Sequence, residues 1–154
     1  MKKNIIALAI ACSSAMALGM SAPARAELGK NTIGPSLAIG GGQTSVGIDS
    51  KFGVSDNLSL RPFVYFPSGG TYFGSGLTYD FNLTNTGNKV QITPFVGGVV
   101  SIGTGGINNS TTVGFLGGAD FDVTDTIQLR AALNVPITSN NSSTTVNIGA
   151  GFRF

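Results

Sequence analysis

Eight charged side chains fall on the same alternating face of their segments: Asp49, Lys51, Arg61, Asp80, Asp120, Asp122, Arg130 and Arg153. Four are acids and four are bases, so the chemistry they offer is mutual ion pairing. Asp120 and Asp122 lie two apart and could share a cation, but a partner such as Lys51 or Arg130 is the simpler match. Catalysis by proton transfer or by an activated nucleophile needs a base that titrates near neutrality. The chain has no His, a single Glu (Glu27) and a single Cys (Cys12). No catalytic residue, metal cluster or cofactor site is expected. The Gly40-Gly41-Gly42 and Gly103-Thr104-Gly105-Gly106 runs read as turns, since no Lys-Ser/Thr and helix follow them. Asn109-Ser110-Thr111 fits a glycosylation sequon, which is a weak motif.

The elements that carry these charges read as strands. The alternation is cleanest at the end of the sequence. Val146, Ile148, Ala150, Phe152 and Phe154 share one face, while Asn147, Gly149, Gly151 and Arg153 share the other. That is the period of a strand with one apolar side. Seven similar runs precede it, separated by Gly, Asn, Ser and Asp. The expected strands span roughly 33–41, 44–54, 57–66, 71–81, 89–102, 111–122, 126–137 and 144–154. Most have the ~9–11 residues that a tilted strand needs to cross a bilayer. A soluble barrel would bury its apolar face. Here the charged and small residues share the face that closure would put inside. The expected fold class is therefore all-β, an eight-stranded antiparallel up-and-down transmembrane β-barrel, monomeric, with outer-membrane lipid around it.

The first 26 residues read differently. Met1-Lys2-Lys3 is a basic start, Ile5 to Leu18 is apolar, and Ala24-Arg25-Ala26 offers a cleavage site. This is the pattern of a secretory signal peptide. The expected organisation is residues 1–26 as signal peptide and 27–154 as the barrel domain. Losing Lys2, Lys3 and Arg25 leaves six bases against seven acids, so the formal charge moves from +2 to −1. A nucleic-acid partner is not indicated. Cys12 leaves with the leader, and Ala9 before it argues against lipidation there.

An even strand number puts both termini in the periplasm. The expected outer connections near 40–43, 67–70, 103–110 and 138–143 then carry no charge, and the charges lie in the periplasmic half. A barrel of eight strands is filled by its own side chains, and charges buried there must pair. The expectation is an ion-pair plug, with a small-residue outer half around Gly40, Gly47, Gly74, Gly114 and Gly149. The alternative is a charged constriction in a narrow pore. Phe52, Tyr79, Phe81, Phe121, Phe152 and Phe154 are expected at the periplasmic rim, with Phe66 and Phe73 at the other. Two features fit badly. Pro62 and Pro94 lie inside strands, where a bulge is expected to accommodate them. Phe95 and Val99 fall on the supposed inner face.

A weak repeat runs through the chain. Phe52-Gly-Val-Ser-Asp-Asn-Leu-Ser-Leu-Arg61 aligns with Phe121-Asp-Val-Thr-Asp-Thr-Ile-Gln-Leu-Arg130 at an offset of 69 residues. Each copy reads as a strand, a tight turn and a strand. These hairpins resemble the short periplasmic hairpins of the opacity-type and OmpA-type outer-membrane barrels. The final strand, with Phe154 last and Phe152 before it, resembles the segment by which such barrels are recognised for assembly. The resemblance implies a Gram-negative-type outer membrane and a partner in the barrel-assembly machinery. It also implies a structural, envelope-stabilising role. A narrow passive channel for water, ions or very small solutes is one alternative, and a surface adhesin or receptor acting through short loops is another. The outer connections lack the aromatic and Arg anchors that protein recognition uses, which disfavours the last.

Overall fold

The computed structural model of the chain describes residues 31–81, 90–105, 110–138 and 143–154. The leader and the connection expected near 82–88 lie outside the described residues, as do 106–109 and 139–142. Eight strands follow one another: β1 (Thr32–Gly40), β2 (Gln43–Gly53), β3 (Leu58–Phe66), β4 (Thr71–Asp80), β5 (Gln91–Thr104), β6 (Ser110–Asp122), β7 (Ile127–Pro136) and β8 (Thr145–Arg153). Each pairs antiparallel with its neighbour in sequence, and β1 pairs with β8 to close the barrel. No described residue is helical.

Alternation decides which way each side chain points. Along β7, Ile127, Leu129, Ala131, Leu133 and Val135 are exposed on the exterior, while Gln128, Arg130, Ala132 and Asn134 are buried inside. The other strands repeat this arrangement, so large apolar side chains cover the outside. In water such a surface would be far larger than the few hundred Å² a soluble monomer exposes. In hydrocarbon it is the solvent-matched face. At the end of the barrel that carries the start of β1 and the end of β8, here the terminal end, outward aromatics meet in pairs. The Phe52 and Phe154 rings contact edge to face at 6.4 Å between centroids, and Tyr79 meets Phe81 at 5.1 Å. Phe66 and Phe73 are exposed at the far end.

The prolines are accommodated without the expected bulges. Pairing between β3 and β4 runs unbroken from Leu58↔Tyr79 to Tyr65↔Tyr72. Between β2 and β3 the pairs opposite Arg61 and Pro62 drop out, but the register is the same on both sides of the gap. There Ser50 Oγ donates to the Pro62 carbonyl at 3.1 Å. Pro94 stays in register opposite Ala119, and its carbonyl accepts the Phe81 N–H at 2.8 Å. The wall thus forgoes a ladder bond rather than inserting a residue, and parity is kept. Phe95 and Val99 consequently do point inward, where both are buried.

Turn chemistry fits the connections. Gly41 and Gly42 adopt φ of 60° and 75° between β1 and β2, as a two-residue primed hairpin turn requires. The two repeat copies form equivalent turns. Val54 N and Ser55 N both donate to Leu58 O, and Val123 N and Thr124 N both donate to Ile127 O. In the second copy the Thr124 hydroxyl also accepts the Ile127 N–H at 2.9 Å.

The far half of the lumen departs from the small-residue interior expected there. Tyr65 faces Gly47 across one strand pair, and Phe63 faces Gly74 across another. A Cβ at Gly47 would run into the Tyr65 ring and the Val64 carbonyl, and one at Gly74 would meet the Phe63 ring. These glycines are the floors on which aromatic rings lie. Gly47→Ala is therefore expected to destabilise the barrel by about 1–3 kcal/mol, the usual cost of overpacking. Urea unfolding of the refolded protein would measure it. An unchanged midpoint would mean that Tyr65 does not rest on Gly47.

Candidate functional site

The inward positions near the terminal end gather the charged residues. None of the eight lies more than four residues from the terminal end of its strand. β2 contributes Asp49 and Lys51, β3 Arg61, β4 Asp80, β6 Asp120 and Asp122, β7 Arg130, and β8 Arg153. All are buried except Arg153, which is partly exposed.

Asp120 is the hub, with 0% of its surface exposed. Its Oδ1 accepts from Arg61 Nη1 at 3.2 Å and Arg130 Nε at 2.9 Å. Its Oδ2 accepts from Arg61 Nη2 at 2.9 Å and Lys51 Nζ at 3.0 Å. One carboxylate thus holds three cations from three strands. Asp80 bridges two of these cations, lying 2.7 Å from Lys51 Nζ and 3.0 Å from Arg61 Nη2. Ser59 Oγ and Thr78 Oγ1 donate to it at 2.7 and 3.1 Å. Arg130 uses its remaining nitrogens on Asp49 Oδ1 at 2.9 Å and Thr32 Oγ1 at 3.3 Å. Asp49, Asp80 and Asp120 against Lys51, Arg61 and Arg130 make a neutral set. Asp122 and Arg153 form a separate pair nearer the terminal end, where Gln128 Nε2 also donates to Asp122 at 2.7 Å.

The sequence repeat acquires a geometric meaning here. Lys51 and Asp120 are separated by its offset of 69 residues, and so are Arg61 and Arg130. Strands β2 and β3 lie opposite β6 and β7 in the closed order. The two copies therefore present equivalent positions from opposite walls. Lys51 meets Asp120 across the axis, and the two arginines converge on one carboxylate.

Above this layer lies a second one that reading the charges alone missed. Phe95, Val99, Leu116 and Ala132 form a buried cluster with Phe63 packed against it. The Arg61 guanidinium stacks over the Phe95 ring, 3.6 Å from its centroid, an arrangement that favours a desolvated cation. A space of about 20 Å³ remains between the two layers, enough for about one water. Farther out, the Phe63 ring stacks with Tyr72 at 5.8 Å and tilts against Tyr65 at 5.5 Å. The signal for this layer was present in the inward parity of Phe95 and Val99.

The arrangement can neutralise, rigidify and obstruct. Among the described residues no group of three or more potential metal ligands comes together.

No family model matches the chain, and no curated protein matches it. Its fold does resemble solved structures. A de novo designed transmembrane β-barrel superposes with a TM-score of 0.67 at 16% identity, covering 83% of this chain and 98% of the design. The N-terminal β-barrel domain of Pseudomonas aeruginosa OprF gives 0.60 at 15% identity, covering 82% and 98%. The outer membrane protein OprG from Pseudomonas aeruginosa gives 0.54 at 10% identity, covering 80% and 94%. At such identities the likeness speaks to architecture, and on that point it agrees with the closed strand order and the apolar exterior: the chain has the eight-stranded transmembrane fold of the small bacterial outer-membrane barrels.

Proposed function

We propose that this protein is a monomeric structural element of a Gram-negative-type outer membrane, a rigid barrel whose lumen is plugged. Residues 1–26 act as a signal peptide, and residues 27–154 form the inserted domain. The terminal end faces the periplasm, as an even strand number requires. The barrel-assembly machinery receives the chain through β8 and its outward Phe152 and Phe154. No enzymatic activity is part of this reading.

One observation carries the proposal. In the lumen, a network of paired charges built on Asp120 is backed by an apolar cluster built on Phe95 and Leu116, with about 20 Å³ between them. Such a stack leaves little room for a hydrated ion. The expected result in planar bilayers is no sustained single-channel conductance from the folded protein. Steady, ion-selective currents from the wild-type barrel would overturn the plug and favour the narrow channel. Binding of the folded barrel to a host surface or partner protein, lost on replacing the outer connections, would favour the adhesin.

A further inference from the structure

The barrel wall is not fastened evenly. Six of the eight strand pairings keep every pair along their paired length. The two that do not are β1–β8 and β2–β3, and both flank the β1–β2 hairpin. Between β1 and β8 the pairs of Gly34 and Pro35 are missing, and between β2 and β3 those of Ser50 and Lys51. Within the hairpin Gly34 faces Asp49 and Pro35 faces Ile48, so the two gaps lie at nearly one height. Each gap holds a proline, Pro35 or Pro62, which has no N–H to give to the neighbouring strand. Inside the hairpin, by contrast, the pairs run unbroken from Thr32↔Lys51 to Gly40↔Gln43.

Side chains do little to close these gaps. The register on either side sets Gly34 opposite Gly151, and a Cβ at Gly34 would run into the Ala150 carbonyl oxygen. Backbone lies against backbone there. At the second gap one side-chain bond, from Ser50 Oγ to the Pro62 carbonyl, stands in. What holds the hairpin at this height crosses the lumen instead. Lys51 of β2 reaches Asp80 of β4 at 2.7 Å and Asp120 of β6 at 3.0 Å. Arg130 of β7 reaches Asp49 of β2 at 2.9 Å and Thr32 of β1 at 3.3 Å. Each of these bonds ties the hairpin to a strand that is not its neighbour in the wall. Proteins open locally, in cooperative units, where fastening is weakest. We propose that the β1–β2 hairpin is a panel that opens as one piece along its two interrupted seams, with Lys51 and Arg130 as the latches that hold it shut. An opened panel joins the lumen sideways to the bilayer. This goes beyond the plug, which concerns passage along the axis.

The test is amide hydrogen exchange, residue by residue, on the protein refolded in a phosphocholine detergent. Three groups of amides are compared: those bonded across the β1–β8 and β2–β3 seams, those bonded between β1 and β2, and those bonded among β5, β6 and β7. The expected result is one shared rate for both seams, about tenfold faster than the other two groups, from the two ladder bonds forgone. The hairpin's own pairs stay protected, since the panel moves intact. Pro35→Val combined with Pro62→Val returns both donors and is expected to slow seam exchange about tenfold. Lys51→Met removes a latch and is expected to speed exchange at the seams while leaving β5 to β7 unchanged. Uniform rates around the barrel, different rates at the two seams, hairpin pairs that exchange along with the seams, or unchanged seam rates in the proline variant would overturn the panel. A Lys51→Met effect spread evenly over all strands would overturn the latch and assign Lys51 to global stability. If a variant does not fold, the wild-type pattern still decides. None of these readouts is a conductance. A non-conducting barrel with uniform exchange keeps the plug and loses the panel, and a conducting barrel with fast seams does the reverse.

Discussion

Asp120→Ala is expected to lower the unfolding free energy of the barrel by about 3–5 kcal/mol, the usual cost of leaving buried partner charges uncompensated. The position is chosen because one carboxylate holds Lys51, Arg61 and Arg130 together. Removing it changes a neutral set of three acids and three bases into one with an excess cation. The remaining carboxylates, Asp49 and Asp80, already have partners of their own. A second substitution sharpens the argument. Lys51→Ala in the Asp120→Ala background restores neutrality, so the double variant is expected to be more stable than additivity of the two single changes predicts. Urea titrations of all four proteins would measure that coupling. Stability unchanged in Asp120→Ala, together with a newly sustained bilayer conductance, would mean that water already solvates these charges. The lumen would then be a gated pore rather than a plug.

Much of this layer was legible in the sequence because strand parity is strict. Once Lys51, Arg61 and Asp120 are assigned inward, closure leaves them nowhere to go but toward one another. Lys51 and Arg130 were legible as partners for Asp120 or Asp122, but which of the two acids they meet was not. That depends on the stagger between opposite walls, which sets Asp120 rather than Asp122 at the height of Arg61 and Arg130. Strand ends were located to within about two residues because Gly, Asn, Ser and Asp mark the turns. The prolines misled for a physical reason. A missing donor can be accommodated by a bulge or by a local gap in the ladder, and only the partner strand determines which. Ser50, whose hydroxyl reaches the Pro62 carbonyl, is that local determinant.

The inner aromatics were harder. Phe95 and Val99 contradicted a polar lumen, although they obeyed the parity of their strand. Their apolar layer exists because Leu116 and Ala132 arrive at the same height from β6 and β7. The repeat, by contrast, was visible as an offset but not as a function. In three dimensions it sets two hairpins on opposite walls with matching turn hydrogen bonds. Equivalent positions carry opposite charge at Lys51 and Asp120, which is what lets them pair across the axis.

The double substitution Phe152→Ser and Phe154→Ser is expected to abolish accumulation of the folded barrel in the outer membrane while leaving export intact. Both rings are on the exterior, with Phe152 63% exposed and Phe154 55% exposed. Neither one fills the lumen, so their loss leaves the ion pairs and the apolar layer untouched. What they supply is lipid-facing surface on β8, the strand that closes the barrel against β1, where Phe154 N donates to Asn31 O at 3.1 Å. Phe154 also packs edge to face on Phe52 of β2, tying the last residues to the first hairpin. Two contributions are thereby lost together: burial of aromatic area at the membrane interface and the outward pattern offered to the assembly machinery. They separate experimentally. In vitro refolding into detergent needs no machinery, so the variant is expected to refold there with only modest loss of stability while failing to accumulate in cells. Failure in both settings would assign the phenylalanines to barrel stability instead. Normal accumulation of the variant as a heat-modifiable band in the outer membrane would show that β8 is not read through these rings.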